Sequence, residues 1–358
     1  MGKKVRVLIV DDSALMRQIL TAVLSADSEI EVIGTAADPY EARAKIKQLL
    51  PDVVTLDIEM PKMDGLDFLE KIMTLRPMPV VMVSSLTQKG ADATFRALEL
   101  GAIDVVGKPT SDIERSLKGR SSELQSIIKC AATARVKPLD KNRRASTEQV
   151  VKAPARAYSS SEKIVAIGSS TGGVESVRQV VSELPSDGPA VLVTQHMPGG
   201  FTKSFADRLD RTTSLNVSEA SDGQRVLRGH VYIAPGGKHL ALVRSGANFV
   251  CRLLDTDLVN GHKPSCDVLF DSVADVAGKD SIGVILTGMG RDGAAGLLRL
   301  REAGAFTIGQ DEATSVVYGM PRVAYEIGAV IRQLPLARIA AEITNAVTAG
   351  PQKQQMRI

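Results

Sequence analysis

Residues 5–13 read VRVLIVDDS, and that stretch decides the architecture of the first part of the chain. Five of its first six residues are apolar, and the run stops abruptly at Asp11, Asp12 and Ser13. Near-continuous Val, Leu and Ile mark a strand buried on both faces, which belongs in a parallel sheet covered by helices. A secretory leader would want a longer apolar core and a small-residue cleavage site, and here two acids interrupt the run.

Working outward, similar runs stand at 30–35, 53–58, 80–84 and 103–106. Helical patterns begin between them near Ser13, Pro39, Gly65 and Gly90, with a fifth after Asp112. Five such βα units predict a doubly wound α/β domain over residues 1–128. From 129 to 161 the apolar periodicity lapses into Ala, Ser, Pro and basic residues, as in AATARVKPLDKNRRASTEQ. Such a segment buries too little surface to offset its ordering entropy and reads as a flexible linker. Alternation resumes with strand-like runs at 164–167, 190–194, 231–234, 240–244, 282–287 and 306–309. Helical stretches are expected at 173–184, 201–210, 265–277, 293–303 and 336–347. A second doubly wound, Rossmann-like α/β domain is therefore predicted over 162–350.

Composition narrows the function. The 358 residues carry a net charge of only +3, which supplies no broad field for nucleic acid. No apolar run approaches the roughly 18 residues needed to span a bilayer. Cys130, Cys251 and Cys266 are widely spaced and form no CxxC pair, so neither a disulfide framework nor a cysteine metal site is expected. These features point to a cytoplasmic protein.

In the first domain, acids fall at predicted strand ends: Asp11 and Asp12 after the first strand, Asp57 at the third. Open parallel sheets bind ligands outside the carboxyl ends of their strands. Three carboxylates gathered there repel one another unless a hard cation such as Mg²⁺ joins them. Ser84 ends the fourth strand and Lys108 follows the fifth, so a hydroxyl and an ammonium at the same rim could hold a phosphoryl group. VLIVDDS, LDIEMPKMDG, VMVSS and GKP together resemble the receiver domains of two-component response regulators. The resemblance implies that Asp57 is the phospho-acceptor and that Asp11, Asp12 and Asp57 hold Mg²⁺. It also implies that Ser84 is the switch hydroxyl and Lys108 the phosphate-contacting lysine. Val105 and Val106 stand where many receivers carry a switching aromatic, so the signal is expected to pass through the surface of strands four and five.

The second domain offers three loops at predicted strand ends. IVAIG runs into Gly168-Ser169-Ser170-Thr171-Gly172-Gly173 and a helix, a turn that exposes a serine hydroxyl beside helix amides. TQHMPGGF places His196 past another strand, where an imidazole could take the serine proton. LTGMGRDGA places Asp292 past a third, where a carboxylate could orient the histidine, or equally cap the next helix. A rival reading uses Gly288, Gly290 and Gly293 as a G-x-G-x-x-G dinucleotide fingerprint, with Asp311 as the ribose acid. It leaves Ser170 and His196 without a role.

IGSSTGG, TQHMPGGF, VYIAPGGKHL, PSCDVLF and LTGMGRDGA together resemble the catalytic domain of the chemotaxis protein-glutamate methylesterases, and the receiver–linker–esterase order matches as well. The resemblance implies a triad of Ser170, His196 and Asp292, with the backbone amides of Met289 and Thr171 as oxyanion donors and no cofactor in this domain. It implies a phosphorylation-activated hydrolase that demethylates and deamidates glutamyl side chains of methyl-accepting chemotaxis receptors, with a chemotaxis histidine kinase as phosphodonor. His230, His239 and His262 are expected to be structural or solvent-facing, and Cys266 to be packing.

Overall fold

The computed structural model describes residues 3–60, 63–84, 88–108, 113–136, 138 and 163–348. The chain divides into two compact units, Met1–Arg144 and Ala145–Ile358.

The first unit alternates β1 (Val5–Val10), α1 (Ala14–Ser25), β2 (Ile30–Ala36), α2 (Pro39–Leu49), β3 (Val53–Asp57), α3 (Gly65–Leu75), β4 (Val80–Ser84), α4 (Gln88–Glu99), β5 (Asp104–Gly107) and α5 (Ile113–Thr133). The strands pair in parallel in the order β2-β1-β3-β4-β5. This order reverses between β1 and β3, and the crevice at such a switch point is where ligands bind. Short polar side chains start the helices. Ser13 accepts from the Met16 amide, Asp38 from those of Tyr40 and Glu41, and Asp64 from that of Leu66. Leu8, Val10, Leu56 and Met82 are fully buried in the core, as continuous apolar strands require.

α5 runs five residues past the boundary expected at 128. Ile128, Cys130 and Ala131 are buried, so its apolar stripe continues where composition alone suggested a linker. Most of the expected linker, residue 137 and residues 139–161, lies outside the described residues.

The second unit is built on a seven-stranded, all-parallel sheet. Its elements are β6 (Ile164–Ser169), α6 (Gly173–Ser182), β7 (Ala190–Gln195), α7 (Phe201–Thr212), β8 (Asn216–Glu219), β9 (His230–Ile233), β10 (His239–Ser245), β11 (Asn248–Leu254), α8 (Cys266–Val276), β12 (Ser281–Ile285), α9 (Ala294–Glu302), β13 (Phe306–Gln310), α10 (Met320–Glu326), β14 (Arg332–Leu334) and α11 (Leu336–Thr348). The order β14-β13-β12-β6-β7-β9-β8 puts the switch point between β12 and β6.

The run at 240–244 does not join this sheet. As part of β10 it pairs antiparallel with β11, and the ribbon packs on α8, where Ser272 Oγ accepts from the Leu242 amide at 2.9 Å. Leu240, Leu242, Cys251, Leu269, Phe270 and Val273 close that part of the core. The predicted two-domain α/β architecture therefore holds, with one strand reassigned.

Candidate active site and phosphoryl-acceptor site

In the first unit the acids and the lysine converge at the β1/β3 crevice. Asp11 and Asp57 are buried and Asp12 is exposed, and one oxygen of each lies within 4.8 Å of the others. Lys108 Nζ stands 2.6 Å from Asp57 Oδ2 and 3.3 Å from Asp11 Oδ2. Burial pushes the Asp57 carboxyl up to about 6 against the opposing pull of Lys108. Burial also works against the Lys108 ammonium, but its bonds to Asp57 and the charge of Asp11 outweigh that and raise its pKa. Asp11 Oδ2 is buried and, beyond its ion pair with Lys108, accepts no hydrogen bond among the described residues. Ser84, also buried, accepts the Lys108 amide at its carbonyl, which fixes the lysine loop to β4. Gly65 is required beside Asp57 because a Cβ there would lie 2.0 Å from the Asp57 carbonyl oxygen.

In the second unit Ser170, His196 and Asp292 follow β6, β7 and β12, three strands adjacent in the sheet. Ser170 is half-buried, in the turn before α6. Its amide donates to the Thr287 carbonyl beyond β12, and its carbonyl accepts the Gly173 amide. Gly172 makes this turn with φ +75°, and a Cβ there would lie 2.6 Å from Val316. The Gln195 side chain ties the serine loop to the histidine loop. Its Nε2 donates to the carbonyls of Ser170 (2.9 Å) and His196 (3.1 Å), and its Oε1 accepts from Ser169 Oγ (2.7 Å). Only the amide nitrogen can face two carbonyls, so this orientation is set by the bonds themselves.

His196 Nε2 pairs with Asp292 Oδ2 at 2.8 Å. Its Nδ1 is buried with no hydrogen-bond partner among the described residues, so the Ser170 hydroxyl is not bonded to it in this state. Asp292 is 1% exposed and also accepts from Ser265 Oγ (2.7 Å), Asn260 Nδ2 (2.9 Å) and the Cys266 amide (2.6 Å). Burial alone would raise its pKa, but the His196 ring, with Asn260 and Ser265, holds the carboxyl well below the usual carboxylate range. Met289 follows Gly288, whose missing side chain lets this loop approach Ser170: a Cβ there would lie 2.8 Å from Ser170 Cβ. The Met289 amide donates no hydrogen bond among the described residues. Thr171 is buried in the serine turn.

Two further side chains, expected from the sequence to be structural or packing residues, lie against the imidazole. Cys266 Sγ is 3.7 Å from His196 Nε2, and His262 stacks on the His196 ring at 3.7 Å between centroids. Cys266, His196 and Asp292 could in principle hold a metal. The thiol is fully buried, however, its pKa is pushed well up by burial, and Asp292 is already saturated with donors. Packing describes it better. The dinucleotide reading also loses its basis. The amide of Gly296 at the start of α9 donates to Asp267 Oδ1 at 2.6 Å, where a pyrophosphate would sit. Asp311 caps its own turn through the Thr314 amide and hydroxyl.

These observations define a class: an acidic, lysine-bearing receiver joined to a doubly wound α/β unit that sets a serine, a histidine and a buried aspartate at the ends of three adjacent strands. Residues 7–117 match the response regulator receiver domain and residues 165–343 the CheB methylesterase family. A protein-glutamate methylesterase/protein-glutamine glutaminase of Nitrosomonas europaea is 53% identical over 99% of this chain and 100% of its own. One of the same description from Agrobacterium fabrum is 56% identical over 98% of both chains. The crystal structure of the Thermotoga maritima CheB methylesterase catalytic domain aligns with a TM-score of 0.51 and 42% identity, covering 52% of this chain and 99% of that one. The chain belongs to the protein-glutamate methylesterase/protein-glutamine glutaminase family, as a response regulator with a receiver domain and a CheB methylesterase domain. No described helix is long and apolar enough to cross a membrane.

Proposed function

We propose that Ser170, His196 and Asp292 are the catalytic triad of this methylesterase and glutaminase, acting on the glutamyl methyl esters and glutamines of methyl-accepting chemotaxis receptors. The observation that carries the reading is the imidazole, anchored through Nε2 to a buried carboxylate on a loop that Gln195 ties to the serine turn. Its Nδ1, without a hydrogen-bond partner among the described residues, is left to take the Ser170 proton, and catalytic hydrogen bonds commonly tighten only once substrate is bound.

Ser170 Oγ attacks the γ-carbonyl carbon, and its proton passes to His196 Nδ1. Asp292 holds the tautomer and stabilises the imidazolium. The Met289 and Thr171 amides receive the oxyanion; each such donor is typically worth about 3 kcal/mol. The C–O bond to the methoxy group breaks, and the imidazolium proton leaves with it as methanol. Water then adds to the glutamyl-enzyme, returning its proton through His196 and restoring the Ser170 hydroxyl. A glutamine follows the same path and releases ammonia. Ser170→Ala is expected to lower methanol release from methylated receptor by at least about 10³-fold with the fold intact; near-normal turnover would refute the assignment.

Receiver domains generally use Mg²⁺ for phosphorylation, and the residues here fit one. Three carboxylates within 4.8 Å include a buried oxygen lacking a hydrogen bond. Asp11, Asp12 and Asp57 would hold the ion, which neutralises charge on the incoming phosphoryl group. Asp57 Oδ is the acceptor, Lys108 pairs with the transferred phosphoryl, and Ser84 reads its presence. The phosphodonor is a chemotaxis histidine kinase, and phosphorylation raises hydrolase turnover. We read the residues from 134 to 161 as a tether between the two domains, on composition. The setting is the cytoplasm, with no nucleic-acid partner and no membrane insertion.

A further inference from the structure

Asn260 and His262, which meet Asp292 and His196, stand in a single turn. Val259 and His262 pair in a two-residue hairpin: the His262 amide donates to the Val259 carbonyl at 2.9 Å and the Val259 amide to the His262 carbonyl at 3.1 Å. Between them stand Asn260 at φ +53° and Gly261 at φ +82°. Positive φ at both central positions is the type I′ geometry that Asn-Gly favours most, so the local sequence dictates a rigid turn. Two of its residues reach different members of the triad. Asn260 Nδ2 bridges Asp292 Oδ1 at 2.9 Å and Asp267 Oδ2 at 2.6 Å. The His262 ring lies flat on that of His196, with 12° between planes.

We propose that this turn is a positioning element for the general base, with His262 fixing the plane of the His196 imidazole and shielding one face from water while Asn260 fixes the carboxylate that orients it. The proposal rests on the triad reading above. His262 suits the task because it stays neutral: burial, and then the charge of His196, depress its pKa to about 4 despite the pull of Asp292. A second cation is therefore not stacked on the imidazolium that forms during turnover. His262 acts on the reaction only through the plane of the His196 ring, so it is a positioning residue and not a catalytic one.

The test uses the full-length chain with acetyl phosphate, measuring methanol release for wild type, His262→Ala, His262→Phe and Ser170→Ala. His262→Ala frees the ring to tilt and is expected to lower kcat about 10- to 100-fold with KM nearly unchanged. His262→Phe keeps a flat apolar ring on the imidazole and is expected to retain kcat within about threefold. The proposal is overturned if His262→Ala matches wild type in kcat, or if His262→Phe is as impaired as His262→Ala while circular dichroism shows both folded. Ser170→Ala separates the two levels. If it stays active the triad reading fails; if it is inactive and His262→Ala is normal, only the role of the turn fails.

Discussion

Gln195→Met removes the tie between the serine and histidine loops while keeping most of its bulk. Three hydrogen bonds disappear: those from Nε2 to the Ser170 and His196 carbonyls and that from Ser169 Oγ to Oε1. At about 1 kcal/mol net for each neutral bond, the unfolding free energy of the second unit should fall by roughly 3 kcal/mol. The larger effect falls on chemistry. Gln195 is the only side chain among the described residues seen bonding both carbonyls, so its loss lets the Ser170 and His196 loops drift apart, and a shift of about 1 Å costs on the order of 100-fold in turnover. Methanol release gives the kinetic readout and urea unfolding the stability. Ser169→Ala serves as the partial control, removing one of the three bonds for about 1 kcal/mol and leaving turnover close to wild type. The reasoning is refuted if Gln195→Met keeps kcat within about twofold of wild type while losing the expected stability, because the tie would then hold the fold and not the Ser–His geometry.

Three further outcomes follow. Asp292→Asn should lower kcat about 10⁴-fold by allowing the wrong imidazole tautomer. Because the Asp292 carboxyl is depressed in the folded state, its stabilisation is complete above the ordinary carboxylate range near pH 4 and lost as pH falls below it; the urea midpoints of wild type and Asp292→Asn should therefore converge on acidification. Gly288→Ala puts a methyl 2.3 Å from Met320 Sδ and 2.8 Å from Ser170 Cβ, and should cost about 1–3 kcal/mol of stability, read by thermal unfolding, and at least tenfold in kcat by about the same displacement logic. Lys108→Ala takes away the ammonium 2.6 Å from Asp57, and stimulation of methanol release by acetyl phosphate should be abolished.

Continuous apolar runs made both parallel sheets legible, since β1, β3, β4, β6, β7 and β12 are buried on both faces and their sequences show it. What they could not reveal was pairing. The run at 240–244 has the same apolar character, yet it forms a ribbon with β11 because α8 offers it a surface outside the main sheet. β8 was missed because Asn216–Glu219 is mostly polar, as befits an edge, and β14 because three residues carry no periodicity. The linker boundary was set too early because the last turn of α5 is rich in Ala and Cys, which read as neutral in composition but pack as apolar. At the site, strand-end residues were readable because parallel sheets put function there. Gln195 was hidden as the last residue of a buried strand. Asn260 and His262 sit in a loop after the ribbon, and only the Asn-Gly pair hinted at the hairpin that aims them.

The sheet order carries a further consequence. β6 and β7 are neighbours from the start, but β12, which carries the carboxylate loop, docks against the opposite edge of β6, and Asp292 lies 96 residues beyond His196. As the chain leaves the ribosome, the loops of Ser170 and His196 are synthesised long before the one that carries Asp292. A partly made chain thus holds the hydroxyl and the imidazole without the carboxylate, and the His196–Asp292 pair forms only once β12 has docked on β6.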